Sequence, residues 1–188
     1  MANVVLYDAC VLYPASLRDF LMRLALLDLF QARWTDAIHD EWTRNVAADR
    51  PEISPENLTR CRVLMNRHVP DSLITGYEPL IPTLSLPDPD DRHVLAAAIH
   101  GGADLIVTFN LADFPASVLA THSIEAIHPD DFSMRLWDEF PAAVLEALRR
   151  QRAGLQKPPR TADELLDTLE QCRLVQTAAQ LRSHTSRF

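Results

Sequence analysis

Carboxylate side chains stand at four separate points of the sequence where local structure would bring them towards one edge of a sheet. They are Asp8, Glu41, the neighbours Asp90 and Asp91, and Asp113. Carboxylates held close together repel one another, so a cluster of them needs shared protons or a bound cation. Hard oxygen ligands are those that Mg²⁺ and Mn²⁺ take, and such ions can activate a water molecule at a phosphodiester. The pattern predicts one divalent-cation site with hydrolytic chemistry.

The densest part of this pattern lies between residues 86 and 115, and it begins with a helix. Asp90 or Asp91 is predicted to cap this helix, since acidic side chains are favoured in the first turn, at the positive helix end. Gly101 and Gly102 are predicted to end it, because either glycine can take the left-handed conformation.

A buried strand and a polar turn follow this helix. The apolar run from Ala103 to Val107 is typical of a central parallel strand that is covered on both faces. Thr108, Asn110 and Asp113 come directly after it. Because open α/β sheets bind ligands at the carboxyl ends of their strands, these three residues are candidates for the site.

Other apolar segments supply the rest of the predicted sheet. Asn3–Tyr7 is an opening strand with Asp8 at its end, and Thr35 or Asp36 is predicted to cap the helix that carries Glu41. Further strands are predicted at Gln31–Trp34 and Ser123–Ile127, with a weaker one inside Ser72–Ile81, and Ser54-Pro55 marks another helix start. The strand–helix alternation over residues 3–133 favours an α/β fold with a parallel sheet flanked by helices.

The pattern changes near residue 138. Residues 141–152 and 161–182 predict two amphipathic helices, of which the second begins with a capping-box sequence, Thr161 to Glu164. We therefore predict two parts: residues 1–137 as the α/β domain, and residues 138–188 as a small helical extension whose last residues, 183–188, form a loose tail.

Charge divides the 188 residues unevenly. Residues 1–140 carry a balance of −11 and residues 141–188 a balance of +3, within the net charge of −8. The acidic body argues against tight, purely electrostatic binding of nucleic acid, although bound metal ions can reverse a local field. Lysine is almost absent, so phosphate contacts must rest mainly on arginine.

The acidic blocks also carry a family resemblance. In order they are V-V-L-Y-D-A-C-V-L, I-H-D-E-W, D-P-D-D-R-H-V-L-A-A-A-I and L-I-V-T-F-N-L-A-D-F. They resemble the four acidic blocks of the PIN-domain nucleases, and most of all those of the VapC-type toxins of bacterial toxin–antitoxin pairs. The resemblance covers about residues 3–133. It implies a Rossmann-like sheet and a Mg²⁺- or Mn²⁺-dependent endoribonuclease that an antitoxin neutralises.

The same resemblance implies a role for each candidate residue. Asp8, Glu41, Asp91 and Asp113 match the catalytic, metal-binding acids of the family. Asp91 matches the third acid better than Asp90, which is left as a helix cap or an outer ligand. Thr108 and Asn110 match the polar residues that precede the fourth acid and would orient a ligand or the substrate phosphate.

Two residues depart from the family pattern. Cys10 stands where relatives often have a small hydroxyl or amide residue, and we expect it to pack as a small hydrophobe. Asn110 is neutral where some relatives carry aspartate, which would weaken a second metal site. We expect one firmly bound ion and a second recruited with substrate. His39, His93 and His100 lie near the blocks, but we assign them no metal.

Three alternative functions share some of these sequence features. An aspartyl phosphatase would need a D-x-D motif, which Asp8-Ala9-Cys10 does not provide, and a phosphoacceptor domain would need a lysine that residues 1–140 lack. A catalytically inactive PIN-like module that binds RNA or protein is harder to exclude. The full set of carboxylates argues against it, because an acidic cluster without a cation costs stability.

Expected partners and location follow from the same features. RNA and a cognate antitoxin are the partners that the resemblance implies, and homodimerisation is a further family expectation. Arginines of the extension could contact RNA or an antitoxin, or be solvated; they are Arg149, Arg150, Arg152 and Arg160. No apolar run approaches the ~20 residues of a membrane span, and no export signal is visible, so we expect a cytoplasmic protein without a membrane partner.

Overall fold

A parallel four-stranded sheet organises the first part of the chain. The computed structural model describes residues 3–188. The strands are β1 (Val4–Tyr7), β2 (Gln31–Arg33), β3 (Leu105–Val107) and β4 (Glu125–Ile127), in the order β2-β1-β3-β4. Every pairing is parallel. The predicted α/β class is confirmed, and four of the five segments predicted as strands form strands.

Helices connect these strands or follow them. The α-helices are α1 (Ala9–Leu12), α2 (Ala15–Ala25), α3 (Asp36–Asp49), α4 (Pro55–His68), α5 (Arg92–His100), α6 (Ala116–Leu119), α7 (Pro129–Glu139), α8 (Pro141–Gly154), α9 (Ala162–Gln171) and α10 (Val175–Leu181). Short 3₁₀ helices cover Glu78–Thr83, Pro89–Asp91, Leu111–Asp113, Ala120–His122 and Arg182–Arg187. None of the helices within residues 3–188 is long and apolar enough to cross a lipid bilayer.

Contacts divide the described chain into two units. The first comprises residues 3–13 and 29–127, and the second comprises residues 14–28 and 128–188. Helix α2 therefore groups with the C-terminal helices. The division into residues 1–137 and 138–188 stays a prediction, and the grouping seen here is a different one.

In the first unit, the two central strands are buried and end at the same level. Leu6 pairs with Ile106, and both are 0% exposed. The N–H of Asp8 donates to the carbonyl of Val107 at 3.1 Å, and the N–H of Thr108 donates to that of Ile127 at 3.0 Å. Consequently the first polar residue after each central strand lies at the carboxyl edge of the sheet.

Helix boundaries in this unit follow local chemistry. Of the two predicted caps for α3, Thr35 is the one used: its hydroxyl accepts from the N–H of Ile38 at 3.1 Å. At the end of α5, Gly102 takes the left-handed conformation, with φ +63°. Gly101 is needed for space instead, since an added Cβ would lie 2.5 Å from a methyl carbon of Ile74.

One predicted strand of the first unit is wrong. Between residues 72 and 81 the chain forms only a single parallel bridge, from Trp34 to Leu73, and then enters the 3₁₀ helix Glu78–Thr83. Pro79 and Pro82 lack the N–H groups that a strand ladder requires, which explains the loss of the strand.

The second unit is helical, and two predictions about it need correction. The predicted helix 161–182 is two helices, α9 and α10, separated where Arg173 takes a left-handed conformation, with φ +68°, and Leu174 is fully buried. The predicted loose tail is a 3₁₀ helix that ends at a buried Phe188. The capping box is confirmed, because Thr161 and Glu164 each accept a hydrogen bond from the other's backbone N–H.

Candidate active site

Asp8 is the most buried of the predicted site residues, with 2% of its surface exposed. It lies between β1 and α1, where its Oδ1 accepts from the N–H of Ala9 at 2.6 Å. Its Oδ2 accepts from the hydroxyl of Thr108 at 2.7 Å and from the thiol of Cys10 at 3.1 Å. Burial raises the pKa of Asp8, while the hydrogen bonds from Thr108 and Cys10 act in the opposite direction. The carboxylate is thus held in a fixed orientation by donors from both central strands' ends.

Cys10 and Thr108 connect the two strand ends around this carboxylate. The N–H of Phe109 donates to the Cys10 sulfur at 3.2 Å, and the N–H of Asn110 donates to the Thr108 hydroxyl at 3.0 Å. Burial, and then the charge of Asp8, raise the pKa of the Cys10 thiol, so the sulfur keeps its proton and acts as a donor. Cys10 is therefore a packed, unreactive thiol, and it also has a polar role that the expectation of a small hydrophobe did not include. Two sequence signals pointed to this polar role: the position of Cys10 two residues after Asp8, and the small hydroxyl or amide residue that relatives often have there.

The pKa of Asp91 shows that several carboxylates lie close enough to influence its ionisation. Burial is the largest cause that raises the pKa of Asp91 to about 7. The negative charges of Asp8 and Asp113 are the next causes, followed by those of Asp88 and Glu41. Acids from four separate segments of the chain thus act electrostatically on the same half-buried carboxyl group.

The cap at the start of α5 differs from the prediction. The side chain of Asp88 accepts from the N–H of Asp90 at 2.8 Å and so caps the 3₁₀ turn that leads into the helix. Asp91 occupies the N-cap position of α5, yet its side chain makes no capping hydrogen bond. The carboxylate of Asp91 is therefore available to a ligand, because Asp88 performs the capping instead.

Glu41 reaches the cluster from α3 and has a neighbour that the sequence did not reveal. Its Oε2 lies 3.5 Å from Nε2 of His93 on α5. The other ring nitrogen of His93 is buried and has no hydrogen-bond partner among residues 3–188. Only the position of His93 in the first turn after Asp91 could have indicated this contact, since nothing in the spacing shows that α3 faces α5.

The remaining candidates are placed less centrally. Asp113 closes the 3₁₀ turn Leu111–Asp113, and its N–H donates to the carbonyl of Asn110 at 3.0 Å. Asn110 and Asp90 have exposed side chains, for which the structure shows no hydrogen bond within residues 3–188. Contacts at the centre of the site therefore come from Thr108 rather than from Asn110 or Asp90.

His39 is a core residue. It is fully buried, and burial lowers its pKa. The indole N–H of Trp42 donates to Nδ1 of His39 at 3.0 Å, so its Nε2 carries the proton and donates to Oδ1 of Asn66 at 3.0 Å. Both ring nitrogens are used within the protein, which leaves none for a metal.

The donor chemistry of the cluster fits a hard divalent cation. Every candidate ligand is a carboxylate, and burial together with the charges of the neighbouring acids raises the pKa of Asp91. Across residues 3–188, no three His, Cys, Asp or Glu side chains converge tightly enough to enclose an ion. Mg²⁺ commonly keeps several waters and uses only one or two carboxylates, so a fully enclosed cage is not required.

Two known family models match separate parts of the chain. The PIN domain family model matches residues 2–112, which is more than half of the chain, and the chain therefore belongs to the PIN-domain family. A second model, the VapC50 C-terminal domain, matches residues 129–183. The resemblance inferred from the acidic blocks is confirmed.

A curated relative points to the same branch of the family. The chain is 38% identical over 107 residues to "Putative ribonuclease VapC50" of Mycobacterium tuberculosis. The aligned segment covers 57% of this chain and 62% of the relative, which is less than two thirds of the relative's length. No solved structure matches the chain.

Proposed function

We propose that this protein is a Mg²⁺- or Mn²⁺-dependent endoribonuclease and the toxin of a type II toxin–antitoxin pair. The observation that carries the nuclease proposal is the half-buried Asp91, whose pKa is raised to about 7 by burial and by the charges of four neighbouring acids. Such a cluster, at the carboxyl edge of a parallel sheet, is the kind of place where α/β proteins bind ligands and where perturbed pKa values mark function. Membership of the PIN-domain family and the name of the relative support the ribonuclease assignment.

Each site residue has a separate task in this proposal. Asp8, Asp91 and Asp113 hold the ion, and Glu41 binds it directly or through water. When bound, the ion supplies positive charge and an acidified water at the phosphodiester. Thr108 fixes the orientation of Asp8 through its 2.7 Å hydrogen bond.

The outer candidates have weaker support. Asp90 and Asn110 are exposed at the edge of the site, so we keep them as contacts to substrate or to ordered water. The neutral side chain of Asn110 is consistent with one firmly held ion and a second that arrives with the substrate. In this proposal the cluster holds one metal ion permanently, with few protein ligands, and that ion supports hydrolysis.

RNA cleavage with and without EDTA tests the proposal directly. The parent should cleave single-stranded RNA in Mg²⁺ or Mn²⁺ and lose this activity in EDTA. Asp8→Ala should lower the cleavage rate by about 10³-fold, because it removes both a ligand and a preorganised charge. Asp138→Ala, which changes an exposed aspartate of α7, is the matched control and should retain activity.

The outcomes separate the main proposal from its alternative. Full cleavage by Asp8→Ala would remove the assigned site. A parent that binds RNA but leaves it intact with either metal would identify the inactive PIN-like binding module instead. Circular dichroism and melting temperature should be recorded for each variant, so that loss of folding is not read as loss of chemistry.

Growth assays test the toxin proposal. Expression of the parent should arrest bacterial growth, and expression of Asp8→Ala should not. A small DNA-binding protein encoded beside this gene should restore growth when co-expressed with the parent. Homodimerisation and a cytoplasmic location stay predictions, which sedimentation and cell fractionation would check.

A further inference from the structure

A cavity lined by several arginines lies in the second unit. Its volume is about 760 Å³. It is lined by the end of α8, the segment that leads to α9, and residues 186–188. Four of its eleven lining residues are arginine, and none is aspartate or glutamate: Arg149, Arg152, Arg160 and Arg187 are the arginines. The cavity therefore concentrates positive charge in a protein whose net charge is −8.

The partners of these arginines show which of them are available to a ligand. Arg149 is held by Glu146, which accepts from its Nε at 2.6 Å and from its terminal nitrogen at 2.9 Å. Arg160 donates to the hydroxyl of Thr168. Arg152, which is half-buried, and Arg187 have no hydrogen bond or ion pair among residues 3–188. A half-buried guanidinium without a counterion attracts an anion, because desolvation of an unpaired charge is costly.

We propose that this cavity binds a phosphate of single-stranded RNA together with the attached nucleotide. The inference rests on the proposed function for its ligand, and it adds a second RNA-binding site to that function. Guanidinium groups bind phosphate oxygens in a bidentate manner and stack on unpaired bases. Residues 1–140 carry a balance of −11, so neutralisation of the RNA backbone has to come from the basic part of the chain.

The dimensions of the cavity favour a nucleotide over a docked protein. A concave site of this volume suits a compact ligand, whereas a stable protein interface needs a wider surface of about 800 Å² on each partner. Gln156, Thr161 and Ser186 add neutral hydrogen-bonding groups to the wall, as a ribose and a base require. Arg150 does not line the cavity and pairs with Glu146 at 2.6 Å. Arg152 and Arg187 thus differ from Arg149, Arg150 and Arg160, each of which has a partner within the protein.

RNA binding by a cleavage-deficient protein tests this site. Fluorescence anisotropy would follow a labelled single-stranded RNA bound to full-length protein that carries Asp8→Asn, in EDTA. Adding Arg152→Gln and Arg187→Gln together should weaken RNA binding by about tenfold, because two charge-assisted contacts are lost. The slope of log affinity against log salt should fall by about 0.7, the value for one phosphate contact with a single strand.

A matched double variant controls for charge. Arg150→Gln with Arg182→Gln removes two positive charges from the same unit, outside the cavity, and should change the affinity by less than about twofold. If the cavity double variant does not fold, as judged by its melting temperature, Arg187→Gln alone provides the test at an exposed residue. It should weaken binding by at least about threefold.

Four results would overturn the proposal. The first is an equal loss of RNA affinity in the cavity and control variants, and the second is no loss of RNA affinity in either. The third is a cavity variant that loses binding to polyglutamate but still binds RNA. The fourth is a free mononucleotide that binds as tightly as the RNA strand. The third would identify an acidic protein as the ligand, and the fourth a free nucleotide. Cavity-dependent RNA binding in a parent protein that never cleaves RNA would uphold this inference and reject the nuclease proposal.

Discussion

Two aspartates, one in each unit, are almost equally buried but have opposite surroundings. Asp8 is 2% exposed and Asp130 is 4% exposed, and each carboxylate accepts three close hydrogen bonds. The donors to Asp130 are the N–H groups of Gln176 and Thr177 and the hydroxyl of Thr177, at 2.7 to 2.9 Å. These groups join the start of α7 to the start of α10.

The two aspartates differ in the charges that surround their hydrogen-bonded carboxylates. The carboxylate of Asp130 meets the first N–H groups of a helix, where negative charge is stabilised. Asp8 faces Glu41, whose charge raises its pKa, and its own charge in turn raises the pKa of Asp91. A buried acid with complete hydrogen bonding can therefore be structural, and the sign of the neighbouring charges distinguishes a candidate site from a structural link.

Asp130→Ala should produce the largest loss of stability. It leaves two N–H groups and a buried hydroxyl without their acceptor, so the free energy of unfolding should fall by about 3 kcal/mol. Urea denaturation would measure this change. Asp131→Ala, at the exposed neighbour, is the control and should change stability by less than about 0.5 kcal/mol. An Asp130→Ala protein with parental stability but no RNA cleavage would reverse the comparison and make Asp130 a functional residue.

Asp91→Asn should change stability in the opposite direction, and only at higher pH. The pKa of Asp91 is about 7 in the folded protein, against about 4 for an aspartate in an unfolded chain. Between pH 4 and pH 7, roughly, the folded state therefore keeps a proton on Asp91 that the unfolded chain has lost. The free energy of unfolding of the parent falls as the pH rises through this interval. Asparagine carries no such proton, so the variant should be more stable than the parent by about 1 kcal/mol at pH 8, after allowance for a half-exposed group, and equal to it near pH 4.

Denaturation at both pH values in EDTA would check this prediction. Asp90→Asn, the adjacent exposed residue, should show no such gain. Mg²⁺ should raise the melting temperature of the parent at pH 8 by mass action, and less so that of Asp91→Asn. A variant that is less stable than the parent at pH 8 would show that the carboxylate of Asp91 is compensated within the protein, as that of Asp130 is.

Features that depend on one segment could be predicted from the sequence. The strand before Asp8, the cap at Thr35, and the capping box of Thr161 and Glu164 each follow from neighbouring residues. The proximity of Asp8 and Thr108 was predictable too, because the carboxyl ends of parallel strands share one edge of a sheet.

Features that depend on distances between segments could not be predicted. The sequence indicated Asp90 or Asp91 as the cap, and only the folded backbone shows that Asp88 caps the turn. No glycine or proline in the sequence indicates the break between α9 and α10. The left-handed conformation of Arg173 allows Leu174 to reach the core. The contact between Glu41 and His93 depends on the relative placement of two helices, which periodicity does not encode.

The smallest expected effect concerns Cys10, and it tests whether the donors around Asp8 matter beyond burial. Cys10→Ala removes the S–H donor to Asp8 and the acceptor for the N–H of Phe109. Cys10→Ser keeps both functions in a smaller side chain. We expect Cys10→Ala to lower the cleavage rate about twofold, which corresponds to about 0.5 kcal/mol, and to raise the Mg²⁺ concentration needed for half-maximal activity.

Single-turnover cleavage across a Mg²⁺ titration would compare these variants, with Cys61→Ala as a control on α4. Cys10→Ser should restore both the rate and the Mg²⁺ dependence, because a hydroxyl can donate to Asp8 and accept from Phe109 at the same time. If alanine and serine behave alike at position 10, the thiol contributes only volume. The orientation of Asp8 then depends on Thr108 and Ala9 alone, and its environment is closer to that of Asp130 than the hydrogen bonds indicate.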